Sequence, residues 1–147
     1  MSSKSLDIRR EIILDHYENP TTKVADTYKV SKLYTKAHRD SPSCIDNLTA
    51  YVQVNKHQVK DVKFSGIGCA IATASTDMMA NLIKNKNLLQ ANKLINNYLA
   101  MIDGKKYNRK QLGDLYVFEN LNKQLNRIKC GKVGIEAIQM ALNKNEK

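Results

Sequence analysis

Alternation of apolar and polar residues predicts two consecutive strands in the first half of the chain. The first strand has apolar residues at every second position: Leu48, Ala50, Val52 and Val54. A period of two is typical of a strand with one buried face. Residues 58–65 repeat the alternation, and Asn55-Lys56-His57 between the two runs indicates a tight hairpin. Residues 30–39 could form a third strand, although their alternation is poor.

Elsewhere, apolar residues recur at intervals of three and four, which predicts amphipathic helices. The segments with this spacing are 5–18, 69–83, 88–101, 112–125 and, from about Cys130, the last stretch of the chain. Asn19-Pro20 ends the first helix, because the residue before a proline is disfavoured in the helical conformation. Asn126 is a candidate N-cap of the last helix.

These elements predict one α+β domain over residues 1–147. We expect a small, mainly antiparallel three-stranded sheet packed against several helices. A chain of 147 residues is long enough to bury a single core of this kind. Residues 1–4 and 143–147 are predicted to be flexible.

Composition argues against membrane insertion and secretion. The chain is 42% hydrophobic, and no apolar run approaches the roughly 20 residues that a membrane span requires. The N-terminal segment has no apolar stretch of the kind found in secretion signals, so we expect a cytoplasmic protein. Three cysteines are a small and odd number, which in a reducing compartment favours free thiols or metal ligands over disulfides.

The net charge of +10 could indicate a nucleic-acid or acidic partner. The 24 Lys and Arg residues are scattered along the chain, however, with no arginine-rich run. A dedicated nucleic-acid surface is therefore not the preferred interpretation.

The three cysteines and one carboxylate stand at the edges of the predicted elements. Cys69 marks the change from strand to helix, where unpaired N–H groups and the helix dipole favour a thiolate. Cys44 and Asp46 stand an even number of residues before the apolar positions of the first strand. Side chains two residues apart in an extended chain point the same way, so the thiol and the carboxylate could converge. Cys130 is predicted in the first turn of the last helix, with its side chain towards the core.

Four such groups are what a tetrahedral zinc site requires. Such a site would lie at one end of the domain, where loops and helix N-termini meet. The spacing of the four residues along the chain is weak evidence for a zinc site, because no pair of cysteines has the C-x-x-C separation of a zinc ribbon. Unrelated buried cysteines beside a solvated Asp46 would give the same pattern.

Five short motifs follow one another along the chain. They are Ile13-Leu14-Asp15-His16-Tyr17-Glu18-Asn19-Pro20, Pro42-Ser43-Cys44-Ile45-Asp46, Gly66-Ile67-Gly68-Cys69 with Ala72-Thr73-Ala74-Ser75, Leu112-Gly113-Asp114-Leu115, and Arg127-Ile128-Lys129-Cys130. Together they resemble the NifU/IscU/SufU family of iron-sulfur cluster assembly proteins. The chain is most similar to the SufU branch. Residues 84–126 accommodate that branch's longer insertion, and Lys129 stands where the IscU branch usually has a histidine.

The resemblance implies that Cys44, Asp46, Cys69 and Cys130 bind one zinc ion and that Cys44 accepts sulfur. The sulfur donor would be a cysteine desulfurase that uses pyridoxal phosphate and holds a persulfide on its own cysteine. Downstream iron-sulfur assembly or sulfur-accepting proteins would take the sulfur from Cys44. Arg127 matches the family's arginine and would give electrostatic support. In this interpretation the chain is a zinc-dependent sulfurtransferase that acts with the desulfurase.

Two alternatives stay open. In the first, the chain is a non-enzymatic scaffold that assembles a transient [2Fe-2S] cluster on the same four residues. In the second, it is a basic nucleic-acid-binding protein with structural cysteines. We favour zinc-dependent sulfur transfer, because Lys129 replaces the histidine of the scaffold branch. Neither a membrane nor a nucleic acid is expected as its partner.

Three positions depart from the family's pattern. Ile45 stands where glycine is usual, Gln124-Leu125 where the SufU branch tends to have an aromatic residue and a proline, and Ile135 where tryptophan is common. Two histidines are given structural interpretations. His16 is predicted to be a packing or capping residue, and His57 a residue of the hairpin turn.

Overall fold

The computed structural model describes residues 3–41 and 45–144 of the chain. Along these ranges the elements are α1 (Ser3–Glu18), β1 (Tyr34–Asp40), β2 (Asn47–Asn55), β3 (Gln58–Ile67), α2 (Ala70–Ile83), α3 (Leu88–Ile102), the 3-10 segments Arg109–Phe118 and Leu121–Lys123, and α4 (Leu125–Lys144). A three-stranded sheet with helices packed against it confirms the predicted α+β class.

The sheet is antiparallel throughout, in the order β1-β2-β3. The predicted hairpin joins β2 to β3. Its two turn residues, Lys56 and His57, have positive φ angles of 53° and 63°. This is the conformation of a two-residue turn that matches the twist of the strands, and it confirms the interpretation of His57. At the opposite end of the hairpin, Asn47 pairs with Ile67.

The hydrophobic core lies between one face of the sheet and the helices α2 and α4. Leu48 and Val52 of β2 and Phe64 of β3 are completely buried. Helices α2 and α4 approach each other closely at Gly134, where an added Cβ would stand 1.7 Å from the Thr76 Oγ1. Because a side chain at this position would push the helices apart, glycine is required for their contact.

Helix α1 is fastened to α2 by a buried carboxylate. Asp77 is completely buried, and its Oδ2 lies 2.6 Å from the His16 Nδ1. Its Oδ1 accepts hydrogen bonds from the backbone N–H groups of Thr21 and Thr22 and from the Thr22 hydroxyl. His16 is therefore a packing residue, as predicted. The role of Asp77 could not be predicted from the sequence. An acidic residue among the apolar residues of a helix does not show which distant groups it will bind.

Several predicted boundaries were wrong. The segment 112–125 is not an α-helix, because residues 109–118 and 121–123 form 3-10 turns and Gly113 adopts a non-helical conformation. Asn126 is not an N-cap, since α4 already begins at Leu125, and Cys130 lies in its second turn rather than its first. The third strand begins at Tyr34 rather than at residue 30.

Within the described ranges, no helix combines the length and the apolar character needed to cross a membrane. The predicted flexibility of residues 1–4 and 143–147 stays a prediction, and five of these residues lie outside the described ranges.

Candidate metal centre

The carboxylate of Asp46 points inward at the start of β2. Asp46 is 1% exposed, like its neighbour on the same face of the chain, the completely buried Leu48. The Asp46 Oδ1 accepts a hydrogen bond of 2.8 Å from the backbone N–H of Cys69. The Asp46 Oδ2 lies 3.8 Å from the Cys69 Sγ. The inward orientation predicted from strand parity is thus correct for Asp46.

Cys69 is the N-cap residue of α2, where β3 gives way to the helix. Its Sγ accepts a hydrogen bond of 3.4 Å from the backbone N–H of Ala72. The preceding turn depends on Gly66, which has a φ of +117° and no room for a Cβ, since the Asn47 carbonyl oxygen would be 2.1 Å away.

Cys130 projects from α4 towards the same point. It is 3% exposed. The ligand atoms of Asp46, Cys69 and Cys130 all lie within 4.8 Å of one another. We call these three residues the thiol-carboxylate cluster. The fold thus brings together three of the four residues that the family resemblance implied as ligands of one metal ion.

Burial and the neighbouring charges work against ionisation of the Cys130 thiol. Burial raises the pKa of the Cys130 thiol, and the neighbouring Cys69 and Asp46 raise it further by hydrogen bonding and by their negative charges. Three anionic groups so close together require a positive charge among them. A divalent cation would supply it, because a coordinating thiol is deprotonated by the metal.

Two sulfur atoms and one carboxylate oxygen fit the donor preferences of zinc. Three ligands leave one position of a tetrahedral zinc site, for which Cys44 was predicted. Cys44 lies outside the described residues, so its place in the site stays a prediction. Asp46, two residues further along the chain, belongs to the cluster.

The basic residues of α4 are placed differently from one another. Arg127 lies nearly one helical turn before Cys130 and is exposed. Lys129 is also exposed, and neither side chain forms an ion pair with a described residue. Lys132 instead binds Asp103, with 3.0 Å between its Nζ and the Asp103 Oδ1. An electrostatic role for Arg127 stays a prediction.

No histidine of the described ranges belongs to the cluster. The His38 Nδ1 lies 2.9 Å from the Thr49 Oγ1 on an exposed part of the sheet. The sequence did not reveal the hydrogen bond between Asp46 and the Cys69 backbone. The one feature of the sequence that points towards this hydrogen bond is the short connection Gly66-Ile67-Gly68, which lets β3 turn sharply into α2.

A thiol-carboxylate cluster at the junction of a three-stranded antiparallel sheet and two helices defines the class of the protein. It is a small α+β domain protein with a candidate metal centre built from cysteine and aspartate. Residues 8–147 match the family model of the NifU-like N terminal domain, and the chain belongs to this family.

Relatives with assigned names agree with this family. The chain is 31% identical to the zinc-dependent sulfurtransferase SufU of Bacillus subtilis over 93% of its own length and 90% of that protein. It is 28% identical to the iron-sulfur cluster assembly scaffold protein IscU of Streptococcus pyogenes, over 72% of this chain and 67% of the relative. The crystal structure of FiSufU from Fervidobacterium islandicum AW-1 superimposes with a TM-score of 0.82 at 27% identity, covering 90% of this chain and 94% of that one.

Proposed function

We propose that the chain is an iron-sulfur cluster assembly protein that accepts sulfur from a cysteine desulfurase on Cys44. The main observation in support is the thiol-carboxylate cluster, whose three ligand atoms lie within 4.8 Å of one another. The chain aligns with nearly the whole length of a relative named a zinc-dependent sulfurtransferase, which supports this proposal. Family membership favours it over the nucleic-acid-binding alternative.

Asp46, Cys69 and Cys130, together with Cys44, would hold one zinc ion. When bound, zinc keeps its thiol ligands deprotonated and so makes them available as nucleophiles. Asp46 is the only oxygen ligand of the proposed set. Because carboxylate is a harder ligand than thiolate, it should exchange more readily than the sulfurs.

The transfer itself is a thiol-persulfide exchange. The Cys44 thiolate attacks the outer sulfur of the persulfide that the desulfurase carries on its own cysteine. A new S–S bond forms at Cys44, the old S–S bond breaks, and the desulfurase cysteine leaves as a thiolate. No oxidant or reductant is consumed. We place this reaction in the cytoplasm, where thiols stay reduced.

A scaffold function is the second candidate, because several matching relatives are named scaffold proteins. In that case the same four residues would hold a transient [2Fe-2S] cluster. Purified protein reconstituted with iron and a desulfurase would then contain iron and acid-labile sulfide. A protein that stays colourless and keeps its zinc would count against the scaffold function.

The test is persulfide mapping by mass spectrometry after incubation with a cysteine desulfurase, pyridoxal phosphate and free cysteine. We expect one added sulfur on Cys44 of the zinc-loaded wild type and a faster desulfurase turnover. Cys44→Ala should bind no sulfur and should not accelerate the enzyme. Persulfide on Cys69 or Cys130 instead, or equal acceleration by Cys44→Ala, would contradict the proposal.

A further inference from the structure

An open surface cavity lies where the end of α1, the second half of α2 and the 3-10 segment Arg109–Phe118 meet. Its volume is about 220 Å³, below the roughly 300–1,000 Å³ that is typical of sites for drug-sized ligands. Met78, the first residue of α2 to line it, follows Cys69 by nine residues, which is about 14 Å along the helix. The cavity is therefore separate from the thiol-carboxylate cluster, and its size suits a single long side chain.

Three polar side chains line this cavity: His16, Asn81 and Asp114. Both N–H groups of the Asn81 amide are used within the fold. Its Nδ2 donates to the Thr21 hydroxyl and to the Asp77 carbonyl oxygen, each at 2.9 Å. The Asn81 Oδ1, an acceptor, is therefore the part of this amide that remains for a ligand.

The contacts of His16 also leave an acceptor. The His16 Nδ1 lies 2.6 Å from the Asp77 Oδ2, and the other oxygen of Asp77 accepts from Thr21 and Thr22. Because the carboxylate accepts at this contact, Nδ1 donates, and the Nε2 of the neutral ring is an acceptor. Asp77 is completely buried whereas the His16 side chain is 25% exposed, so the Nε2 edge is the one that a ligand reaches.

Asp114 adds a negative charge to these two acceptors. It is exposed, and its carboxylate forms no hydrogen bond or ion pair with any residue of the ranges 3–41 and 45–144. No lysine or arginine of the same ranges lines the cavity, although the chain has 24 of them and a net charge of +10. The polar lining thus consists of acceptors, which is the environment that a positively charged donor requires. We call this site the acceptor cavity.

The rest of the lining is apolar and largely buried. Met78 is 5% exposed, Leu112 and Leu115 are each 1% exposed, and Leu82 is half-buried. Long basic side chains place their methylene groups on such surfaces and keep the charged end at the edge. The lining therefore fits a cation with a hydrocarbon stem better than a bare metal ion.

Two of the five sequence motifs meet at the acceptor cavity. His16 belongs to the first motif, and Leu112, Asp114 and Leu115 belong to the fourth. Neither motif supplies a ligand atom to the thiol-carboxylate cluster. A ligand shared by the two motifs would account for Asp114, whose carboxylate has no partner within the described ranges.

We propose that the acceptor cavity binds an arginine side chain of a partner protein. Arginine fits better than lysine, because its planar guanidinium offers five donors to the three acceptors and is less strongly hydrated than an ammonium group. The guanidinium pairs with the Asp114 carboxylate, and the methylene groups lie over Leu112 and Leu115. This inference does not depend on the proposed sulfur transfer.

The test follows the amide NMR signals of the isotope-labelled full chain during titration with N-acetyl-arginine amide. N-acetyl-citrulline amide is the matched ligand control, because citrulline has the length and shape of arginine but no charge. Asp114→Asn removes the charge of the cavity, and Asp26→Asn is its matched control. Asp26 is likewise exposed but does not line the cavity, and both substitutions remove one negative charge.

We expect the backbone amide of Asp114 and the side-chain amide of Asn81 to shift, with a dissociation constant on the order of 1 mM for one side chain. Asp114→Asn should weaken binding about tenfold, because it loses a charge-assisted hydrogen bond. Asp114→Glu, which keeps the charge, should retain binding, and Asp26→Asn should stay within about twofold of the wild type. The citrulline derivative should bind about tenfold more weakly than the arginine derivative.

Four results would overturn the arginine site: no shift in the wild type, equal binding of the citrulline derivative, an unchanged affinity of Asp114→Asn, or an equal loss in Asp26→Asn. Tighter binding of free L-arginine than of the blocked derivative would also overturn it and assign the cavity to a small molecule. Broadening of the same signals by Mn²⁺, without a response to arginine, would assign the cavity to a divalent metal ion instead.

Discussion

At the residue scale, Asp46 has two roles: it is a candidate metal ligand, and it accepts a hydrogen bond from the backbone. One oxygen accepts the backbone N–H of Cys69 at 2.8 Å, and the other faces the Cys69 sulfur at 3.8 Å. Strand parity predicted the inward side chain. The backbone hydrogen bond could not be predicted, because it depends on how closely the turn after β3 returns to β2.

Two substitutions of Asp46 separate these tasks. Asp46→Asn keeps a carbonyl oxygen for the Cys69 N–H but loses the charged ligand, whereas Asp46→Ala loses both. We expect both variants to bind zinc more weakly in competition with a chelator. Only Asp46→Ala should lose about 1–3 kcal/mol of metal-free stability in urea denaturation, the cost of an unpaired buried group. Equal losses in both variants would contradict the hydrogen-bonding role.

At the element scale, the sequence predicted the regular elements well and the segment after α3 poorly. Helices α2 and α3 and strands β2 and β3 lie within two residues of their predicted bounds. Four of the five buried residues of the later segment recur at every third position: Leu112, Leu115, Phe118 and Leu121, with Val117 as the fifth. A strict interval of three matches the 3.0 residues per turn of a 3-10 helix, whereas on an α-helix such a stripe drifts around the axis. The prediction of an α-helix rested on a general helical spacing and did not use this difference.

A polar cluster fastens this 3-10 segment to α1. The Glu119 carboxylate accepts a hydrogen bond of 2.5 Å from the Arg9 guanidinium and one of 2.9 Å from the Tyr107 hydroxyl. Burial alone would raise the pKa of Glu119. These two hydrogen bonds, with the charges of Arg109 and Arg9, outweigh burial and hold that pKa below its usual value.

Glu119→Gln should therefore destabilise the protein by about 2 kcal/mol at neutral pH, as measured by urea denaturation. A lowered pKa in the folded chain means that the stabilisation is complete above the unfolded-state pKa of about 4.3. It is lost as the pH falls through the lower folded-state pKa, so the difference from the wild type should shrink there. Arg109→Gln is the control, since Arg109 is 56% exposed and 3.8 Å from Glu119. A difference that persists in acid would contradict this role.

At the scale of the whole molecule, we propose that residues 1–147 form one domain. Contacts join segments that are far apart in sequence: Arg9 of α1 binds Glu119, and the Lys144 Nζ donates to the Lys36 carbonyl oxygen at 2.8 Å. The sheet, α2, α3 and α4 also contribute to one continuous apolar cluster. A smaller apolar cluster of Leu48, Phe64, Ala72 and Val133 is formed by the same sheet and by α2 and α4.

One domain should unfold in one cooperative step. Far-ultraviolet circular dichroism reports the helices, and tyrosine fluorescence reports the packing of residues such as the completely buried Tyr98. The chain has seven tyrosines and no tryptophan, so the second signal is free of tryptophan emission. We expect the two urea transitions of the metal-free protein to coincide. Two separated transitions would show independently folding parts.

The candidate site was predictable in its residues but not in its geometry. Residue type and order along the chain singled out Asp46, Cys69 and Cys130, because their motifs resemble those of one family. Spacing could not show that the three meet, since 23 residues separate the first pair and 61 the second pair. Their meeting depends on the close packing of α2 and α4 at the end of the sheet.

The most direct measurement is X-ray absorption at the zinc edge of the purified wild-type protein. We expect about one zinc per chain, with three sulfur ligands near 2.3 Å and one oxygen ligand near 2.0–2.2 Å. The matched spectrum of Cys44→Ala should lose one sulfur and keep the other ligands. Zinc bound only through nitrogen and oxygen, or an iron centre with sulfide in its place, would contradict a zinc site formed by Cys44 with the thiol-carboxylate cluster.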